Sequence, residues 1–251
     1  MFSYRWTGIY PTRPDQNRFA RRALFRFNRT RFWPRDAYAV MLAAMSHPSQ
    51  PRRAICPTCL RPRPTCICEW IAPVDAKVEV LVLQHPLEVS NAKGSARLLH
   101  LSLPGSVLVA GEQFDRDALH ALLFHGGRTP LLLYPDAIAN ASPVMPAPPP
   151  LDPALLADGA ALRLVVLDGT WRKSRKMLYL NPLLQSLPRL ALQGMPESHY
   201  RIRKAHAPDQ LSTLEAAAYA LMRLDGGPSR YQRLLAAFDG FVRQQVGYAP
   251  S

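Results

Sequence analysis

Residues 167–177 read LDGTWRKSRKM and combine side chains that could bind and transform a small molecule. They follow an apolar stretch that predicts a buried strand, so Asp168 should stand where the backbone amides of the next turn point outward. Gly169 would let the backbone approach a ligand closely, because glycine has no side chain. The pattern indicates a ligand pocket beside the cations of residues 172–176.

The same residues also permit a purely structural interpretation. Asp168 and Thr170 are residue types that cap helices, Trp171 could serve only to pack, and the cations could form a solvated face. A second basic strip, YRIRK at 200–204, makes a negatively charged polymer a reasonable partner. Phosphate contacts of this kind would set affinity rather than sequence choice.

All four cysteines lie within 13 residues, as one CxxC pair and one CxC pair. A disulfide framework spreads its cysteines to connect distant segments, whereas two close pairs can wrap four thiolates around one zinc ion at about 2.3 Å. An iron–sulfur site, a redox CxxC pair and free thiols are the alternatives. With four protein ligands the metal would be structural, and the predicted ligands are Cys56, Cys59, Cys66 and Cys68.

The length of 251 residues fits one α/β domain with a small appendage. No apolar run approaches the roughly 20 residues of a membrane helix. The formal net charge is +13, but residues 1–53 hold 11 arginines and only two aspartates, a net of +9. The remaining chain is only mildly basic, so the overall charge does not by itself demonstrate RNA binding.

Residues 1–50 are predicted to form a basic, disordered arm without the apolar core of a secretory signal. The segment could bind RNA. It is also Arg-rich and acid-poor like a mitochondrial presequence, although Trp6, Trp33 and several prolines interrupt an amphipathic helix. A third alternative is a start assigned too far upstream, with Met41 or Met45 the true beginning.

Strand-like apolar runs alternate with helical segments along the rest of the chain. Fully apolar strands in this alternation predict a mostly parallel sheet with helices on both faces. Predicted strands are 78–83, 106–110, 130–134, 162–167 and 189–192. Predicted helices are 96–101, 114–124, 174–186, 212–224 and 229–246. The fourth helix opens with a capping box in which Ser212 is the N-cap and Glu215 reaches back, and residues 140–153, with six prolines, predict a surface loop.

Ligands on parallel sheets bind beyond the carboxyl ends of the strands, and the segments QHP, LYPD and LDGTW fall at such ends. Dinucleotide-binding, P-loop, hydrolase-elbow and HExxH motifs do not occur. From the residues alone, the chain is therefore an α/β enzyme or binding protein with a small-molecule pocket beside a cationic surface.

Seven ordered motifs resemble the DTW-domain family: HPLE at 85–88, SARLL at 95–99, LYP at 133–135, DGTW at 168–171, KML at 176–178, YRIRK at 200–204 and LSTLEA at 211–216. The resemblance covers residues 55–241, and bacterial members also open with a four-cysteine knuckle. The AKGS stretch at 92–95 differs from the Asn-Thr or Ser-Thr pair often seen there. The implied organisation is an arm at 1–50, a zinc knuckle at 51–72 and a SPOUT-like catalytic domain at 73–248.

The resemblance implies a SPOUT-like trefoil-knotted α/β fold with S-adenosylmethionine as donor. The implied reaction transfers the 3-amino-3-carboxypropyl group to N3 of a tRNA uridine, at position 47 of the variable loop, and releases methylthioadenosine. The implied partner is tRNA, without a membrane or an obligate protein partner, and the expected location is cytoplasmic. Alternatives are a zinc-containing RNA-binding module without catalysis, a methyltransferase on the same scaffold, and a ribosomal RNA substrate.

The resemblance also implies roles for individual residues. Asp168 is the candidate general base; alternatively it binds the donor's amino group, and Glu215 or Glu88 is the base. Donor binding is assigned to Leu133, Tyr134, Pro135, Gly169, Thr170, Trp171, Leu211, Ser212, Thr213, Glu215 and Arg97. RNA phosphate contacts are assigned to Arg172, Lys173, Arg175, Arg201, Arg203 and Lys204, with Arg61 and Arg63 adding to this surface from the knuckle.

Overall fold

Five parallel strands form the sheet at the centre of the computed structural model, which describes residues 54–136, 146–199 and 211–248. The strand order is β2-β1-β4-β3-β5, and every neighbouring pair is parallel. All seven residues of β4 are buried, as its mostly apolar sequence predicts for a central strand covered on both faces, and the buried set includes the charged Arg163 and Asp168. The strands are β1 (Glu79–Gln84), β2 (Val107–Ala110), β3 (Thr129–Leu133), β4 (Leu162–Asp168) and β5 (Arg189–Leu190).

Helices cover both faces of the sheet, which confirms the predicted mostly parallel α/β architecture. One core layer packs α1, α5 and α6 on one face, and a second packs α2, α3 and α4 on the other. The helices are α1 (Ala96–Ser102), α2 (Arg116–Phe124), α3 (Trp171–Leu180), α4 (Pro182–Gln185), α5 (Thr213–Asp225) and α6 (Pro228–Val246). Residues 200–210, between β5 and α5, lie outside the described residues, and the trefoil knot stays a prediction.

The continuous helix predicted over 174–186 is wrong, because the structure has two helices there. Thr170 caps α3 by accepting a hydrogen bond from the Lys173 amide, so the helix begins three residues earlier. Pro182 lacks an amide hydrogen and disfavours helical geometry at Asn181, which ends α3 at Leu180. The Asn181 side chain instead donates to Met177 O and Glu112 O at 2.6 and 2.9 Å.

Residues 54–72 dock on α6 through polar and apolar contacts. Trp70 packs over Gly240, where a Cβ atom would overlap its ring, and its indole N–H donates to Gln244 Oε1 at 3.0 Å. Gln244 Nε2 in turn donates to Cys66 O at 2.9 Å. Within the described ranges, no helix has the length and apolar character needed to cross a membrane.

Candidate functional site

Asp168, the last residue of β4, lies where three segments of the chain meet. It pairs in register with Gln84 at the end of β1, and Gln84 Nε2 donates to Asp168 Oδ2 at 2.8 Å. Thr213, the first residue of α5, donates its hydroxyl to Asp168 Oδ1 at 2.6 Å. Asp168 is only 5% exposed. The structure therefore brings the DGTW and LSTLEA segments together at one buried carboxylate.

A small pocket of about 80 Å³ opens above this carboxylate. It contains carboxylates from Glu88 and Asp168, the ammonium-bearing Lys93, and the amino end of α5, whose dipole favours anions. A pocket with these opposite charges suits a zwitterionic group. It is lined by Glu88, Asn91, Lys93, Gly94, Ser95, Asp168, Gly169, Ser212 and Thr213.

Glu88 is a second buried carboxylate in the lining of the pocket, and it is 7% exposed. Its Oε1 accepts from Lys173 Nζ at 2.7 Å, and its Oε2 accepts from Asn91 Nδ2 at 2.6 Å. Lys173 was predicted to contact phosphate, but its ammonium compensates this buried carboxylate. The charge of Lys173 therefore belongs to the pocket wall.

A second charged group, which sequence analysis missed, surrounds His85 at the end of β1. The Leu87 amide donates to His85 Nδ1, so the ring hydrogen is on Nε2, which lies 2.8 Å from Glu112 Oε1. Lys176 Nζ lies 2.8 Å from the other Glu112 oxygen, and this contact is the first cause of the lowered pKa of Glu112. Glu112 follows the carboxyl end of β2. The tendency of ligands to bind beyond the carboxyl ends of parallel strands could therefore have identified it.

The LYP segment and Trp171 form an aromatic wall beside β4. The rings of Tyr134 and Trp171 meet edge to face with centroids 5.7 Å apart, and Trp171 is 49% exposed. The guanidinium of Arg189 lies 5.6 Å from the Tyr134 ring and donates to Pro135 O at 3.0 Å. Burial raises the pKa of Tyr134, whose hydroxyl lies 3.4 Å from Ser174 Oγ. Tyr134 is thus fixed, while about half of the Trp171 side chain stays exposed.

A larger pocket of about 630 Å³ begins directly after the LYP segment. Its volume is in the range typical of small-molecule sites. Sequence analysis missed most of its residues, because the stretch after β5 has no motif that marks it. The lining residues are Asp136, Pro148–Leu151, Arg189–Gln193, Met195, Tyr219 and Arg223.

The four cysteine sulfurs converge as the spacing predicts, all within 4.8 Å of one another. Cys56 Sγ lies 3.6 Å from Cys68 Sγ, and Cys59 Sγ lies 3.7 Å from Cys66 Sγ. A metal about 2.3 Å from four sulfurs at tetrahedral corners separates them by about 3.8 Å, so the cluster fits one zinc ion. A hydrogen bond from the Cys59 backbone amide is the main reason why the pKa of Cys56 is lowered to about 6. Burial raises the pKa of Cys68 to about 12.

The family profile described as the DTW domain matches residues 53–246. The chain belongs to the DTW-domain family. The predicted resemblance is therefore confirmed, and the profile includes both the four-cysteine knuckle and the Asp168 pocket.

Curated relatives of this DTW-domain chain carry the name tRNA-uridine aminocarboxypropyltransferase 2. The protein from Drosophila melanogaster is 30% identical over 217 residues, covering 84% of this chain and 82% of the relative. The protein from Mus musculus is 30% identical over 201 residues, covering 78% of this chain and 64% of the relative. The Macaca fascicularis protein is 29% identical, and the match spans 57% of its length. No solved structure matches the chain at comparable significance.

The predicted donor residues of the DTW domain are only partly brought together. Gly169, Ser212 and Thr213 line the small pocket with Asp168. Tyr134, Pro135 and Trp171 meet at the aromatic wall, and Thr170 caps α3. Leu133 ends β3, and Leu211 directly precedes the Ser212 cap. Arg97, half-buried on α1, does not belong to the lining of the small or the large pocket.

Glu215 of the DTW domain is engaged in structural contacts within the described part of the chain. It is 3% exposed and completes the capping box, accepting from the Ser212 amide at 2.7 Å. Its other oxygen accepts from the His199 amide at 2.8 Å, and Ser198 Oγ adds a third bond. The carboxylate thereby ties residues 198–199 to the start of α5.

Among the predicted RNA contacts, Arg172 is exposed and Arg175 half-buried on α3. Arg201, Arg203 and Lys204 lie outside the described residues, as does the arm at 1–50. Arg63 is exposed at the knuckle surface. The Arg61 guanidinium donates to the carbonyls of Ala92 and Gly94, and its contribution to the RNA surface stays a prediction.

Proposed function

We propose that this DTW-domain protein transfers the 3-amino-3-carboxypropyl group of S-adenosylmethionine to N3 of a tRNA uridine, at position 47 of the variable loop, and releases methylthioadenosine. The observation that carries the proposal is the buried Asp168 carboxylate at the floor of a pocket with opposite charges. It occurs in a chain that aligns over 84% of its length with a relative named tRNA-uridine aminocarboxypropyltransferase 2.

The small pocket is the proposed site of the donor's aminocarboxypropyl arm. Its Glu88 carboxylate would attract the ammonium of the arm, and Lys93 and the amino end of α5 would attract its carboxylate. The larger pocket is the proposed site of the adenosine moiety, because it is wide enough for a nucleoside and starts at Asp136, next to the LYP segment.

Holding the arm in this way would select the reaction. The donor sulfonium carries three electrophilic carbons, and orientation decides which one meets the nucleophile. Uracil N3 attacks the carbon of the arm, the carbon–sulfur bond breaks, and its electron pair stays on sulfur in methylthioadenosine. The N3 proton is accepted by a carboxylate, for which Asp168 is the proposed general base.

The tRNA would lie across the cationic surface of α3. Arg172 and Arg175 are the described candidates for phosphate contacts, and Arg201, Arg203 and Lys204 remain candidates from the sequence. The cysteine cluster would hold one structural zinc ion. We place the protein in the cytoplasm, where thiolate ligands stay reduced.

The deciding experiment incubates the protein with S-adenosylmethionine and an unmodified tRNA transcript and identifies the products by mass spectrometry. We expect an aminocarboxypropyl uridine together with methylthioadenosine. A methylated nucleoside with S-adenosylhomocysteine would show a methyltransferase instead. No modified nucleoside, despite RNA binding, would favour the RNA-binding module.

The variant Asp168→Asn separates the two roles considered for this carboxylate. Asparagine keeps the size of the side chain but cannot take up a proton at neutral pH. If Asp168 is the general base, Asp168→Asn should lose transfer activity but still bind S-adenosylmethionine, as measured by calorimetry. A loss of donor affinity of the same size as the loss of activity would assign Asp168 to the donor's amino group.

A further inference from the structure

Arg61 connects the four-cysteine knuckle to the wall of the small pocket. Its Nη1 donates to Ala92 O at 2.6 Å, and its Nη2 donates to Gly94 O at 2.9 Å. Gly94 lines the pocket directly, between Lys93 and Ser95. One side chain from the knuckle therefore holds two carbonyls of the segment that faces Asp168.

The position of Arg61 is itself well defined. It lies between the two cysteine pairs, and its carbonyl accepts from the Cys56 amide at 2.8 Å. Its guanidinium lies 5.1 Å from the ring centroid of Phe241, a fully buried residue of α6. The knuckle and α6 thus fix both ends of the arginine side chain before it reaches the pocket segment.

The pocket segment at 91–95 is shaped by short-range hydrogen bonds, in which the Asn91 amide donates to Glu88 O and the Gly94 amide donates to Asn91 O. Asn91, Ala92 and Lys93 are exposed, so apolar burial contributes little to holding them. Asn91 organises the turn locally by bonding Glu88, and Ser95 Oγ accepts from the Leu214 amide at 3.2 Å. The two hydrogen bonds from the Arg61 guanidinium lie between Asn91 and Ser95, at residues 92–94, which include the pocket-lining Lys93 and Gly94.

We propose that Arg61 is a positioning residue that holds residues 92–94 in the shape that binds the aminocarboxypropyl arm of the donor. The knuckle then belongs to the donor site through Arg61, beyond any general role in stability. The inference rests on the proposed function, since it assigns the small pocket to that arm. A purely structural role for Arg61 would instead affect the fold and leave ligand selectivity unchanged.

Two ligands separate these roles, because methylthioadenosine is the donor without its aminocarboxypropyl arm. Calorimetry on the full chain would compare S-adenosylmethionine and methylthioadenosine for wild type, Arg61→Ala and Arg61→Lys. The matched control is Arg63→Ala, since Arg63 is an exposed knuckle arginine whose side chain makes no hydrogen bond within residues 54–136, 146–199 and 211–248. Zinc content and unfolding temperature would be measured for every variant.

Arg61→Ala should bind S-adenosylmethionine about tenfold more weakly, the effect of losing one to two hydrogen bonds. Its affinity for methylthioadenosine should stay within about twofold of wild type. Arg61→Lys, which keeps one donor group and the charge, should recover part of the loss. Arg63→Ala should match wild type in its affinity for both ligands, since no RNA is present in the assay. Hydrogen exchange of residues 91–95 should be faster in Arg61→Ala than in the control.

The inference is overturned if Arg61→Ala binds both ligands as wild type does, or weakens both equally. If Arg61→Ala fails to fold, the same comparison applies to Arg61→Lys, and equal effects on the two ligands overturn the inference. A wild-type chain that binds neither ligand would overturn the proposed function, and the inference with it. If the wild-type chain binds both ligands and the Arg61 variants keep its preference for S-adenosylmethionine over methylthioadenosine, the inference alone is overturned.

Discussion

The hydroxyl of Thr213 donates a 2.6 Å hydrogen bond to Asp168, although the two residues are 45 positions apart in the chain. The bond ties the first residue of α5 to the end of β4. Because Gln84 donates to the other oxygen, the Asp168 carboxylate is held from two sides before any ligand arrives. Such preorganisation is what a positioned base or ligand-binding carboxylate requires.

Thr213→Val should disturb this arrangement with little change in side-chain volume. Losing a hydrogen bond to a buried carboxylate should lower the free energy of unfolding by roughly 1.5–3 kcal/mol. Aminocarboxypropyl transfer should slow because Asp168 loses its orientation. Urea unfolding and product formation would be measured side by side. Thr213→Ser keeps the hydroxyl and should resemble wild type; equal defects in both variants would show that the methyl group matters instead.

Two adjacent cations of α3 should respond differently to mutation. Lys173→Ala leaves the buried Glu88 carboxylate without its ammonium partner and should destabilise the fold by roughly 1–3 kcal/mol. Arg172→Ala, at an exposed position, should change stability by less than about 0.5 kcal/mol. It should weaken tRNA binding and reduce the salt dependence by about one phosphate contact. Thermal unfolding would measure stability, and salt titrations of tRNA binding would measure the phosphate contact. A stable Lys173→Ala variant with weakened tRNA binding, beside a destabilised Arg172→Ala variant, would contradict these roles.

The Glu112 carboxylate should make stability depend on pH in the acidic range. Its pKa is lowered, first by the hydrogen bond from Lys176 and then by that from His85. The unfolded chain therefore binds a proton more readily than the folded one, so this contribution is present above the ordinary value of 4.5 and is lost as pH falls below it. Unfolding measured between pH 3 and 6 should show a shallower slope for Glu112→Gln. An unchanged slope would rule out this contribution.

The knuckle should bind one zinc ion per chain, which elemental analysis of the purified protein would count. Serine at any of the four cysteines should remove the metal and lower the unfolding temperature, because metal binding and folding are coupled. Cys59→Ser should have the largest effect, since Cys59 is 2% exposed. Iron with visible absorbance would indicate the alternative cluster, and a metal-free protein of full stability would contradict a structural metal.

Local signals predicted much of the fold and part of the site. The capping box at Ser212 and Glu215 is present as predicted, because its partners are only three residues apart. Asp168 could be singled out because it follows the mostly apolar run of β4 at the carboxyl end of that strand. Sequence reasoning treated Arg61 and Lys173 as surface cations, since their partners come from segments 31 and 85 positions away. Only the folded chain shows which acid or carbonyl compensates each cation.

The contacts between the knuckle and α6 also set an order of events during synthesis. Trp70 bonds Gln244, 174 positions later, and Tyr248 donates to Pro64 O across 184 positions. A ribosome that makes the chain from its N-terminus exposes Trp70 long before α6 exists. The knuckle is therefore made well before α6, the helix on which it docks. Arg61 contacts both Phe241 of α6 and the Gly94 carbonyl at the small pocket, so these contacts are complete only after α6 has been made.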